Sequence, residues 1–287
     1  MTWWCSATRQ LWDWTPRAYP GIWLAMALLI GGYVLATIRH VRRVGPTAGE
    51  RRKWVWFGLG AVVLWVATDW PVGALGAGYL ASVHMLQYLL YTLVAAPLLM
   101  LGTPDWMVRS LVVRLRLHGA LRTLARPVVA GVAFNVVLVA THAPWTVDTF
   151  RGSQFGSMAL DVIWLLSGFV LWTPLISPLP ELRHPSPAVK CVYLFLASGA
   201  IPMLPGGILT FASFPLYETY ELAPRVGGLS ADSDQQLAGI MMKIGNIPVV
   251  WAVIFAIFVR WAMSEKDDAG DDLPAGGPPA ARPRELA

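Results

Sequence analysis

The sequence predicts an all-α fold: a polytopic membrane bundle of seven helices, amino terminus outside and carboxyl terminus in the cytoplasm. Three observations carry that expectation. Of 287 residues, 56 % are hydrophobic and only 14 % charged, against about a quarter charged in soluble domains. Apolar runs long enough to cross a hydrocarbon core of about 30 Å recur along the chain. Basic residues gather between alternate pairs of those runs, as the positive-inside bias requires.

The runs fall at residues 20–38, 54–70, 79–101, 127–145, 158–176, 189–211 and 237–261. Their abundant Gly and Pro are better tolerated in membrane helices than in soluble ones, and 15 Trp suit the two interfaces. The first run begins after a Trp-rich preamble and ends in Arg39-His40-Val41-Arg42-Arg43, a stop-transfer pattern rather than a cleavable signal. The chain thus divides into an outer segment at 1–19, the membrane domain at 20–262 and a cytoplasmic tail at 263–287. The tail is rich in Asp, Gly, Pro and Ala, a composition expected to stay disordered.

Arg9, Arg17, Arg151, Arg225 and Lys243 fall on the outer side in this arrangement, and the other 17 of the 22 basic residues fall inside. Residues 106–126 interleave five Arg with Val, Leu and Met, which reads either as an amphipathic helix on anionic lipid or as a basic linker. The formal net charge of +5 lies between apolar runs rather than on one soluble face, so nucleic acid is not an expected partner. Cys5 and Cys191 fall on opposite sides of the bilayer, so no bridge between them is expected.

Polar residues inside spans are costly and point to function where several converge. On the third run His84, Gln87, Tyr88 and Tyr91 follow i, i+3, i+4, i+7 spacing and share a stripe that starts in the outer leaflet. The fourth adds Asn135 and His142, the fifth Gln154, Met158 and Asp161, and the seventh Asp232, Asp234, Gln235, Met241, Met242 and Lys243. Each has a plainer reading. A single His is commonly a helix-to-helix hydrogen-bond partner, Met commonly packs, and Asp161 can pair with Lys243. The convergence of His84, His142, Met158, Asp161 and Met242 favours a metal site, with Gln87, Tyr88, Asp234 and Lys243 as further polar candidates. Imidazole and thioether together suit copper. No zinc-finger spacing, phosphate loop or hydrolase triad is visible.

The sequence also resembles a known family. His84-Met85-Leu86-Gln87-Tyr88-Leu89-Leu90 followed by Ala95-Ala96-Pro97-Leu98-Leu99-Met100-Leu101-Gly102-Thr103-Pro104 is similar to the signature of the CtaG-type cytochrome c oxidase assembly factors. Thr141-His142-Ala143-Pro144, the stretch from Gly168 through Trp172 to Pro174, Pro215-Leu216-Tyr217 with Tyr220, and Asp234-Gln235-Gln236-Leu237-Ala238-Gly239 with Met242 follow it in order. The sequence departs where the third-run motif has a second His, here Tyr88, and where the family carries a His pair on the fifth helix, here Met158 and Asp161. Lys243 stands where Trp is expected.

The resemblance implies a bacterial plasma-membrane protein, without turnover, that assists maturation of a haem–copper oxidase. It implies copper handling at the outer face, with oxidase subunits or other assembly factors and membrane lipid as partners. A second reading of the same residues is a haem b electron-transfer protein with His84 and His142 as axial ligands. A transporter would show internal repeats, and none is visible.

Overall fold

The computed structural model describes residues 2–45 and 49–271. It is built of helices, and five of them are long and apolar enough to cross a membrane, up to seven if each of two bent pairs counts as one span. The first span is Pro20–Val44, opened by a proline at its first turn and closed by Arg42 and Arg43 at its carboxyl end, where the helix dipole favours cations. The second is Glu50–Thr68, which bends by 46° into Val72–Gly78. The third is Ala81–Gly102, the fifth Gln154–Ile176, the sixth Pro187–Phe211 and the seventh Ala231–Glu265.

The fourth is the weakest. Pro127–Thr141 has 15 residues and rises about 22 Å, short of a bilayer core, and it meets His118–Leu124 at 87°.

Two wide π turns interrupt spans that read as regular helix. They cover Leu90–Ala95 and Phe195–Ala200, just before Pro97 and Pro202. A proline lacks the N–H that would close the preceding turn and crowds the carbonyl four residues back. In a membrane the freed carbonyls need other donors, and here each finds a side chain. Trp172 Nε1 donates to the Thr92 carbonyl at 2.8 Å. Asn135 donates to the Ala197 carbonyl at 2.9 Å, and Asn246 to that of Ser198. Asn135, a polar residue in an apolar helix, is thereby accounted for as backbone support.

Close packing depends on glycine at the helix crossings. A methyl at Gly60 would lie 2.8 Å from the Leu99 nitrogen, and one at Gly168 would lie 2.8 Å from the Ala96 Cβ. Between these contacts the bundle buries Phe134, Leu138, Trp164, Leu171 and Trp172.

The two ends differ in chemistry. At one, the helices Asp105–Arg114 and His118–Leu124 lie across the bundle. Val112 packs with Leu179 and Leu182, and Arg109 pairs with Glu181 at 2.9 Å. Leu111, Val113 and Leu115 stay exposed among the arginines, the pattern of an interfacial helix. At the other end the extended amino-terminal segment, the short helices Val72–Gly78 and Pro144–Arg151 and the turn Glu218–Glu221 close over the third and fifth spans. Cys5 contacts the Thr68 carbonyl there, while the half-buried Cys191 contacts that of Ile254 between the sixth and seventh spans. The last helix runs on to Asp271, beyond residue 263 where the sequence suggests a disordered tail. Residues 272–287 lie outside the described part.

Candidate functional site

Under the capped end, the stripe on the third span meets one aromatic ring of the fifth. The Trp164 ring centre lies 4.8 Å from that of His84, 5.6 Å from Tyr88 and 6.1 Å from Tyr91. His142, at the carboxyl end of Pro127–Thr141, stacks on Trp164 at 5.5 Å and 17°. The Trp164 indole donates to Thr141 Oγ1 at 3.1 Å. The two imidazoles therefore meet, 5.5 Å apart and at 82°. His84, Tyr88, Trp164 and His142 are all buried.

Arg151 enters this cluster from the end of the short helix Pro144–Arg151, with no exposed side-chain surface. Its Nη1 lies 3.2 Å from Asp161 Oδ1 and its Nε 3.3 Å from His84 Nδ1, while its Cζ sits 5.0 Å from the Trp164 ring centre. Asp161 Oδ2 accepts the Trp4 indole proton at 2.8 Å. One carboxylate thus neutralises a buried guanidinium and seats the amino-terminal segment. Burial pulls the Arg151 guanidinium down, but Asp161 and the nearby phenols Tyr220 and Tyr91 outweigh it and hold it above its ordinary value. The pair is a permanent feature of the site.

The histidine protons follow from their partners. His142 Nδ1 lies 2.8 Å from the Leu138 carbonyl, which can only accept, so the proton is on Nδ1. The Tyr220 hydroxyl donates to the Gly76 carbonyl at 2.7 Å and is also 2.7 Å from His84 Nδ1. Arg151 Nε–H also points at that nitrogen and can only donate, so His84 Nδ1 accepts from it. Burial raises the Tyr220 phenol well above its ordinary value, so it stays protonated. His142 then turns a lone pair at Nε2 inward. The Nε2 atoms of His84 and His142, the Tyr88 hydroxyl and Arg151 Nη2 are buried without a hydrogen-bond partner, a concentration that native interiors seldom tolerate without use.

Other candidates from the sequence lie elsewhere. Gln87 donates to the Ala67 carbonyl at 2.7 Å, tying the third span to the second. Asp234 accepts from the Ala81 and Ser82 nitrogens and the Ser82 hydroxyl, capping the third span from another helix. Gln235 holds the chain at Leu216 and Phe214. With Asp234 at Ala81 and Gly245 against Leu89, Met242 lies about one turn deeper than His84 and packs on Gly206 of the sixth span. Met158 is half-buried at the margin of the core. Gln154 receives the Trp3 and Trp4 backbone nitrogens at 2.6 and 3.3 Å.

The pairing of Asp161 with Lys243 is not formed. Asp161 takes Arg151, because the turn after His142 folds that residue back into the bundle, whereas Lys243 Nζ lies 4.9 Å from the Phe211 ring centre in the sixth–seventh interface. Asp161 is thereby committed to Arg151 and Trp4.

The residues that complete the cluster are Arg151, Trp164, Tyr220 and Trp4. Arg151 carried one sequence signal: a cation on the sparsely charged side, ten residues before Asp161. Among the described residues no group of three or more His, Cys, Asp or Glu is arranged to hold a metal ion, so the available donors are two imidazoles and a phenol. A porphyrin between His84 and His142 would have to part rings that now touch.

Fold and site together define a multi-pass membrane protein with a buried two-histidine, arginine–aspartate cluster near one end. The family model described as cytochrome c oxidase caa3 assembly factor (Caa3_CtaG) matches residues 31–264, and the chain belongs to that family. No curated protein and no solved structure matches it. Among the residues that carry the resemblance, His84, Gln87, His142, Tyr217, Tyr220, Asp234 and Gln235 each hold another segment or line the cluster.

Proposed function

We propose that the protein assists maturation of a haem–copper cytochrome c oxidase in a bacterial plasma membrane by holding copper as cargo at the outer leaflet, without turnover. The observation that carries this is the pair of buried Nε2 atoms, on His84 and His142, that face one cluster with no partner. Neutral imidazole suits Cu(I). Asp161 balances the charge of Arg151. Met158 is half-buried at the margin of the core and Met242 packs on Gly206, which supports a reading in which the two imidazoles carry the binding and Tyr88 takes the place of a third nitrogen donor.

The orientation rests on the basic residues. Arg42, Arg43, Arg52, Arg109 and Arg260 share the end opposite His84, which supports an outer-leaflet cluster and an outside amino-terminal segment. Oxidase subunits or other assembly factors would receive the metal there.

The test is a Cu(I) competition against a chromophoric chelator with purified protein, read beside oxidase activity in a deletion strain. Stoichiometric Cu(I) binding that is lost in His84→Ala and His142→Ala, with parallel loss of oxidase activity, is the expected result. Full complementation by a variant lacking both imidazoles would leave a scaffold without metal, and a Soret band would replace copper by haem.

A further inference from the structure

At the basic end, the second, third, fifth, sixth and seventh spans enclose a cavity of about 720 Å³, within the range of small-molecule sites. Its wall is apolar, formed in part by Leu175, Val253 and Ile257, and four cations line it: Arg52, Arg183, Lys190 and Arg260. No Asp or Glu lines it. Among the described residues none of the four makes an ion pair; of the carboxylates at this end, Glu181 is taken by Arg109 at 2.9 Å and Glu265 accepts the Trp261 indole proton at 3.0 Å. Arg183 spends only Nε, on the Ser177 carbonyl at 2.6 Å, and both its terminal nitrogens remain available. Trp261 stands at the same wall, where an indole marks the membrane interface.

Four like charges from four segments around an apolar slot repel one another unless an anion sits among them. The anion must bring an apolar body, because the wall continues into the bundle between Leu175 and Val253. We propose that the cavity seats an anionic phospholipid of the adjoining leaflet, its phosphodiester against Arg52, Arg183, Lys190 and Arg260 and one acyl chain along the apolar wall. Arginine forks match phosphate oxygens in pairs, and basic pockets between membrane helices bind lipid headgroups in this way. The site lies at the far end from His84 and is independent of copper.

The experiment uses the full chain, purified and exchanged into nanodiscs of phosphatidylglycerol or of phosphatidylcholine, with retained lipid counted by native mass spectrometry. We expect at least a tenfold preference for phosphatidylglycerol. Arg52→Gln with Arg260→Gln should reduce its retention at least fivefold, whereas Arg114→Gln with Arg116→Gln, at the same end but outside the cavity, should not. Val253→Trp keeps every charge and fills the slot, so it should expel the lipid as well. Equal retention of the two lipids, equal loss in both arginine pairs, or retention undiminished by Val253→Trp would overturn the proposal. Displacement by glycerol phosphate alone would also overturn it, by reducing the site to a headgroup contact.

Discussion

Arg151 and Asp161 form an ion pair at 3.2 Å with almost no exposed side-chain surface on either, and the carboxylate also holds Trp4. Removing one charge strands the other in a dry place. Arg151→Met should therefore cost about 3–5 kcal/mol, seen as a large fall in melting temperature in detergent. Arg151→Met with Asp161→Leu should recover most of that and fall short by the orphaned Trp4 indole, about 1–3 kcal/mol. Lys243→Met loses a cation–π contact of about 1 kcal/mol and should leave the pair intact. A large destabilisation by Lys243→Met alone would show that Asp161 depends on it after all.

His84 and His142 meet ring to ring, so their contributions are joint. His84→Ala and His142→Ala should each remove most of the oxidase activity that the double change removes, as expected of residues in one network. Small, additive losses in the deletion strain would mean that the rings only pack.

Tyr220 holds the Nδ1 edge of His84 without lying on the Nε2 side. Tyr220→Phe should weaken Cu(I) binding about 10- to 100-fold, the usual effect of losing a partner that orients a ligand, while lowering stability by only about 1 kcal/mol. Chelator competition and thermal unfolding on the same sample separate the two. Unchanged affinity would show that the Tyr220 contact does not orient a ligand.

Asp234 acts through the third span. Asp234→Ala leaves the Ala81 and Ser82 donors without acceptor and should cost about 2 kcal/mol, equally with and without copper. A loss of stability seen only in the presence of copper would make Asp234 a ligand instead.

The spans were legible because a hydrocarbon core demands long apolar runs, and the His84–Tyr91 stripe because helical spacing survives in the sequence. Arg151 was not. It stands in a helix of eight residues, too short for its one-sided pattern to announce a buried charge, and nothing in the spacing says that the turn after His142 reverses the chain into the bundle. Trp4 was hidden for a similar reason, since an extended segment has no periodicity to read. The π turns were concealed because Pro97 and Pro202 suggest a kink without saying which donors, here Trp172, Asn135 and Asn246, would serve the freed carbonyls. Asp234 and Gln235 were visible as polar residues in the right place, but their role is architectural.

The bond from Trp4 to Asp161 spans 157 residues of chain. At about 5–20 residues per second of synthesis, Trp4 precedes its acceptor by roughly 8–30 s. His142 precedes Asp161 by 19 residues, so for the last roughly 1–4 s of that interval both imidazoles exist without their cover. The early-made segment is thus the late-seated one, and the interval before it docks is when the pocket stands open to whatever the surroundings supply.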